Sequence, residues 1–170
     1  MARRFLEIGP AIKGRIGPDW DTMNLKRKGF APPDVIGNLR EPPLPIPDKT
    51  YEIVYASHVL EHLPWCHDII QVALLEMRRI LIIGGIVELW VPDFDAIMAA
   101  KDLNFYQKQE LIFAGGQRVV FSETWHKSAW NEALLRDAML EAGFTEIYRP
   151  VKPRGIEHPY NLGLGGWKWT

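Results

Sequence analysis

The chain reads as a single α/β domain with a mainly parallel sheet, and three observations lead there. From residue 51 onward, apolar runs of strand length alternate with helical stretches, the order that a parallel sheet requires. Two of those stretches are amphipathic and have residues suited to starting and stopping a helix. Of the 27 Pro+Gly residues, 13 fall in residues 1–50, 4 in 51–110 and 10 in 111–170. The first 50 residues are therefore short elements on tight connections, and the middle of the chain is regular secondary structure.

Each element has its own justification. Arg3 to Gly9 is an apolar run closed by Gly-Pro, a strand; weaker strands follow at Thr22 to Lys26 and Asp34 to Asn38. Tyr51 to Ser57 is a better strand. It is entered from Pro42-Pro-Leu-Pro-Ile-Pro47, where fixed φ angles and missing N–H donors exclude helix and inner strand. After Pro64, Asp68 can cap a helix that turns Ile70, Ala73, Leu74, Met77 and Leu81 to one face, with Gly84-Gly85 ending it. Ile86 to Val91 is then a buried strand stopped by Pro92-Asp93, and residues 94–114 read as largely helical. Asn131 caps a second helix through Leu134, Leu135, Ala138, Met139 and Ala142, with Gly143 at the left-handed C′ position. Thr145 to Tyr148 and Leu162 to Trp169 are strands.

Composition narrows the function classes. With 170 residues and 47% hydrophobic residues, the chain can bury roughly 70% of its unfolded surface without a disulfide or structural metal. Cys66 stands alone, so an intrachain disulfide is impossible. A net charge of −1 gives no reason to expect nucleic acid or an anionic membrane as obligate partner. The longest apolar stretch, Ile80 to Val91, contains two glycines and Glu88 and falls short of the roughly 20 residues of a membrane span. The start has no signal-peptide h-region, so a cytoplasmic protein is expected.

Several segments carry chemistry-bearing residues. Glu7-x-Gly9-Pro10 sets an acid and a glycine at a strand end, where ligands sit in doubly wound sheets, although Gly-Pro is also an ordinary turn. His58-Val-Leu-Glu61-His62 matches the H-x-x-E-H spacing of one class of zinc peptidases. It directly follows a strand, Pro64 breaks it at once and no further acidic ligand is signalled, so no metal is expected there. Lys26-Arg27-Lys28 reads as a solvated turn rather than a phosphate patch, given the acids at 19, 21 and 34. Trp125, Trp130, Trp167 and Trp169 could stack a planar ligand, but core packing accounts for most such residues.

Taken together, Leu44-Pro-Ile-Pro-Asp-Lys-Thr-Tyr-Glu-Ile-Val-Tyr-Ala-Ser-His-Val-Leu-Glu-His-Leu63, Glu76-Met-Arg-Arg-Ile-Leu81 and Gly84-Gly-Ile-Val-Glu-Leu-Trp-Val-Pro-Asp93 closely resemble class I S-adenosylmethionine-dependent methyltransferases of the small type 11 kind. The resemblance extends to Leu6-Glu-Ile-Gly-Pro10 and to Glu141-Ala-Gly-Phe144. It implies a Rossmann-like methyltransferase fold, an antiparallel C-terminal strand and S-adenosylmethionine as cofactor. It further implies that Glu7, Gly9 and Pro10 lie under the methionine part of that cofactor and Asn38 and Leu39 beside adenine. Ala56 and Ser57 would border the sulfonium, and His58 would begin the wall between cofactor and substrate.

The chain departs from the family pattern in three places. Ala11 replaces a motif glycine, Asn24-Leu-Lys26 stands where the ribose acid is expected, and Asn38 replaces the adenine acid; Asp21 is the nearest acid that could serve the ribose. Losing one charge-assisted hydrogen bond costs about 1.5–3 kcal/mol, so two such losses weaken binding by roughly 10²- to 10⁴-fold. Only 12 residues separate Gly9 from Thr22 and 7 separate Lys26 from Asp34, against the dozen or more of a helical crossover. Helices in this half are expected to be reduced, and the underfilled sheet face to be covered by a second copy, a homodimer. The implied activity is methyl transfer to a small-molecule or glycan-like acceptor, with His126 as first and His58 as second candidate for the base. The alternative is a degenerate methyltransferase fold kept as a non-catalytic binding or assembly module.

Overall fold

The computed structural model describes residues 4–10, 16–25, 32–114, 125–154 and 159–170. Seven strands form one sheet: β1 Phe5–Ile8, β2 Trp20–Asn24, β3 Val35–Ile36, β4 Tyr51–Ser57, β5 Leu81–Pro92, β6 Thr145–Tyr148 and β7 Asn161–Lys168. Their order is β3-β2-β1-β4-β5-β7-β6. The β3-β2-β1-β4-β5 pairs are parallel, and β7 runs antiparallel to both neighbours, β5 and β6. This is the Rossmann-like α/β arrangement with its antiparallel C-terminal strand. Among the described residues no helix is long and apolar enough to cross a membrane.

The N-terminal half is short of helices as its connections require. In its described residues no helical turn precedes Leu60–His62, a single 3-10 turn. Strand β2 starts at Trp20 rather than Thr22, because Trp20 is anchored in an aromatic cluster. It stops at Asn24, whose side-chain oxygen takes the next N–H, that of Leu25, at 2.8 Å. Side chains hold the two-residue β3 in register. Asp34 accepts from the Thr22 N–H and hydroxyl, both at 2.9 Å, and its own N–H donates to Thr22 Oγ1.

Four α-helices follow: α1 His67–Ile80, α2 Phe94–Ala99, α3 Phe105–Gln109 and α4 Glu132–Glu141. Asp68 does not cap α1. Cys66 has extended backbone and occupies the N-cap without a side-chain bond, and Asp68 falls in the first turn, where its charge suits the helix dipole. Nor do Gly84-Gly85 end α1: the helix stops at Ile80 and β5 begins at the next residue. The backbone N–H groups of Lys49 and Thr50 accept the role of cap by donating to the Arg79 and Ile80 carbonyls. The glycines instead serve an irregularity in the β4–β5 register, where a Cβ on Gly85 would lie 2.9 Å from the Ile82 carbonyl oxygen. Asn131 does cap α4, accepting from Leu134 N–H at 3.0 Å, and Gly143 takes φ 86° just beyond the helix.

The sheet has two unlike faces. On one, Leu74, Met77 and Ile80 of α1 and Leu135 and Met139 of α4 pack on Leu6, Val54, Val87 and Leu89. On the other, Trp20, Tyr55 and Trp90 form a smaller aromatic cluster with Phe5, Ile16 and Ile53. Over it, the Arg154 guanidinium binds the buried Glu88 carboxylate through two hydrogen bonds and lies 5.9 Å from the Trp20 ring. Burial, reinforced by the Glu88 charge, pushes the nearby Tyr148 phenol up to about 12.

Glu76 and Arg79 pin the proline connector to α1. Glu76 accepts from Leu44 N–H at 2.7 Å, while Arg79 donates to Glu76, Asp48 and the carbonyls of Leu44 and Ile46. The Arg79 hydrogen bond holds the Glu76 carboxyl below its ordinary 4.5. A depressed folded-state pKa contributes stability that is present above the unfolded value and disappears as pH falls through the folded one. The melting temperature should therefore fall as pH drops below about 4.5, and fall less steeply in Glu76→Gln; parallel curves would remove this pair from the acid response.

Candidate functional site

The carboxyl ends of β1, β2 and β4 meet where a doubly wound sheet takes its ligand. At the end of β1, Gly9 turns the chain with φ 68° and ties to β2 through its N–H to the Met23 carbonyl at 2.8 Å. A Cβ there would lie 2.6 Å from Val59 Cγ2, so only glycine fits without displacement. Gly9→Ala should cost about 1–3 kcal/mol of stability. Adding Val59→Ala should recover the steric part and leave the φ part, as read by paired denaturant titrations; an unaltered midpoint in the single variant would contradict the strain.

Glu7, one turn of the pleat earlier, is 8% exposed. Burial raises its carboxyl above the ordinary 4.5, and the N–H of Ile16, donating at 3.2 Å, partly offsets that. Pro10 is half-buried beside it. Past β3, the Asn38 side-chain oxygen accepts from Arg40 N–H at 3.1 Å, an Asx turn, and Leu39 is buried in the main core. Asp21 does not reach this edge: its carboxylate accepts from the Tyr51 hydroxyl at 2.8 Å, near the opposite end of the sheet. Ala56 is buried and Ser57 half-buried at the end of β4. Ala11 and the Lys26-Arg27-Lys28 run lie outside the described residues.

Directly after Ser57, His58 adopts φ 56°, a left-handed conformation that costs a non-glycine residue on the order of 1–3 kcal/mol. The bend aims its ring inward, with Nε2 3.1 Å from Asn161 Oδ1 and Nδ1 3.0 Å from Glu61 Oε1. Glu61 is 1% exposed, and neither carboxylate oxygen accepts a hydrogen bond from the described residues. His126 closes the group from the segment before α4. It is buried, its Nδ1 lies 3.0 Å from the Ile112 carbonyl oxygen, and its Nε2 lies 4.0 Å from Glu61 Oε1. Burial lowers its pKa, outweighing the opposing pull of Glu61, so the ring is neutral near pH 7.

Pairing of His58 with His62 on a helical face, as H-x-x-E-H implies, does not form. The left-handed His58 precedes the 3-10 turn, so i and i+4 do not stack. Glu61 and His62 meet His126 instead, with the two imidazoles edge-to-face at 5.0 Å. His126 also lines a small apolar cavity with Pro92, Ile97, Ile112 and Trp130. Of the tryptophans, Trp130 is core and donates to Ser128 Oγ, while Trp167 and Trp169 stack on each other at 5.1 Å.

The fold is a Rossmann-like α/β sheet with charged and polar side chains at its strand ends. Residues 19–89 match the family described as Methyltransferase domain, type 11. Among solved structures, the chain superposes on a Thermotoga maritima S-adenosylmethionine-dependent methyltransferase, a possible histamine N-methyltransferase, with TM-score 0.59 and 18% identity over 97% of this chain and 82% of that one. PigF with S-adenosylhomocysteine gives 0.61 and 17% over 98% and 50%. Human N-acetylserotonin methyltransferase with S-adenosylmethionine gives 0.55 and 13% over 97% and 40%. No curated protein matches the chain. Over residues 19–89 the chain is similar to the type 11 methyltransferase family, and its fold is that of S-adenosylmethionine-dependent methyltransferase structures.

Proposed function

We propose that the chain transfers a methyl group from S-adenosylmethionine to a hydroxyl or amine of a small-molecule or glycan-like acceptor. The observation that carries this reading is the β1 end, where a glycine with no room for a Cβ adjoins a buried carboxylate that accepts from the Ile16 N–H. That cradle suits a close-lying cofactor with an ammonium group, and relatives of this fold hold S-adenosylmethionine or S-adenosylhomocysteine. When bound, the cofactor supplies an electrophilic methyl on a sulfonium, which departs as a neutral thioether.

In this reading Glu7, Gly9 and Pro10 hold the methionine part, Asn38 and Leu39 flank adenine, and Ala56 and Ser57 border the reacting methyl. His58 separates the two ligands, its strained backbone fixing the ring. Proximity supplies most of the acceleration, so the remaining task is the acceptor's proton. His126 handles it: with Nδ1–H on the Ile112 carbonyl, the lone pair lies on Nε2, facing the buried cluster.

A specific observation also favours a non-catalytic binding module. Asn38 spends an acceptor on its own turn and Asp21 is engaged by Tyr51, so neither supplies a free carboxylate to the nucleoside. Titration calorimetry with S-adenosylmethionine and S-adenosylhomocysteine decides: binding supports the transferase reading, and no heat at millimolar ligand favours the module. An acceptor screen with radiolabelled cofactor then identifies the substrate. The helix-poor face, flanked by the exposed Leu25 and Ile36, is the proposed contact in a homodimer. Light scattering should return about twice 19.5 kDa, and a monodisperse monomer mass would overturn it.

A further inference from the structure

We infer that Glu61, His62 and His126 form a binding site for one divalent transition-metal cation, zinc by donor type. The three residues each offer a ligand atom, all within 4.8 Å of one another. Tetrahedral zinc, with bonds of about 2.0–2.2 Å to imidazole nitrogen and carboxylate oxygen, sets its ligand atoms roughly 3.3–3.5 Å apart. The 4.0 Å between His126 Nε2 and Glu61 Oε1 is too long for a hydrogen bond and close to that spacing. His62 is half-buried, its ring edge-to-face with that of His126.

Three independent features point to a ligand rather than to a packed polar core. Both Glu61 oxygens are buried without a hydrogen bond from the described residues; His58 Nδ1 lies 3.0 Å from Oε1 and compensates the charge only when protonated, so with neutral imidazoles the carboxylate costs several kcal/mol unless a cation joins it. Both imidazoles have Nδ1 against a backbone carbonyl, His126 on Ile112 at 3.0 Å and His62 on Trp125 at 3.4 Å. That contact fixes the Nδ1–H tautomer and leaves the Nε2 lone pair free, the outer-shell pattern of metal-binding histidine. The backbone is also clamped: the N–H groups of Lys127 and Ser128 donate to the Glu61 carbonyl, and Ser128 Oγ donates to that of Leu60.

Two imidazoles and one carboxylate leave a fourth position open, the composition of catalytic rather than structural zinc sites. With the cation bound, the His126 Nε2 lone pair is spent on it and no longer takes the proton; a hydroxyl oxygen at the open position would be acidified by the cation instead, so the site deepens the methyl-transfer reading by selecting an oxygen acceptor. Only that use rests on the reading above; the cation site stands on the cluster itself.

The test is calorimetric titration of zinc chloride into the full chain after stripping with EDTA, with cobalt(II) absorption as a second readout. One equivalent should bind per chain, with tetrahedral cobalt bands. Glu61→Gln and His126→Ala should each weaken binding by about 10-fold or more, and Cys66→Ser/His67→Ala, which removes exposed donors, should leave it unchanged. His62→Ala, at a half-buried position, guards against loss by misfolding, with circular dichroism as the check. No binding by the wild-type chain, or binding lost only with Cys66 and His67, overturns the site. Zinc binding without cofactor binding would sink the methyl-transfer reading and leave the metal site standing. Cofactor binding without zinc does the reverse.

Discussion

Replacing His126 by alanine is expected to lower turnover by about 10²-fold or more while S-adenosylmethionine affinity changes little. The split between rate and affinity follows from location. His126 lies in the segment before α4, against Glu61 and His62, whereas the cofactor contacts proposed at Glu7, Gly9 and Asn38 come from β1 and the β3 end. Removing the ring takes away the Nε2 lone pair and leaves Glu61 with one fewer neighbour, so circular dichroism must show a folded variant before the rate is read. Single-turnover methyl transfer and cofactor calorimetry on the same preparation give the two numbers. An unchanged rate removes His126 from the reaction, and an equal loss in rate and cofactor affinity would make it a structural residue.

Arg154→Ala should destabilise the chain by about 3 kcal/mol, the lower end of what breaking a buried pair costs, because Arg154 itself is 34% exposed. The larger part of the effect belongs to Glu88, 4% exposed, which among the described residues would be left with only the Tyr148 hydroxyl at 3.3 Å. The Trp20 ring would also lose its covering guanidinium. For a chain of this size the midpoint should fall by roughly 6–12 °C. Glu88→Leu with Arg154→Leu should recover most of that loss, since a hydrophobic pair of similar volume avoids the uncompensated charge. If the double variant is as unstable as the single one, the loop is held by something other than the ion pair.

Much of the fold was legible because it is written locally. Tyr51–Ser57 is a strand between a proline connector and a turn, and Asn131 and Gly143 bracket α4 through contacts no more than four residues away. The errors came where distant backbone decided. The Arg79 and Ile80 carbonyls are satisfied by Lys49 and Thr50, so α1 can stop without its glycines, which no helix-ending rule detects. Asp21 is recruited by Tyr51, 30 residues away, and so is unavailable to a ligand. The candidate site shows the same divide. The H-x-x-E-H spacing flagged the right stretch, but its pairing depended on a helix that the left-handed His58 prevents. The partner that does arrive, His126, is joined to Glu61 only through the folded chain.

Strand β7 is the last element in order, yet it lies inside the sheet with β5 on one side and β6 on the other. Until residues 161–168 are in place, β6 has no partner strand and β5 offers an open edge. Its glycines make the insertion possible: a Cβ on Gly163 would lie 2.6 Å from the Trp90 ring and one on Gly165 2.3 Å from Tyr148, so those rings can lie across the strand. Folding is therefore a late, long-range closure, with α4 and β6 waiting for the strand that follows them. A polypeptide interrupted before β7 would present an unpaired β5, rich in apolar residues, to any neighbouring chain, an invitation to aggregation rather than a smaller version of the same domain.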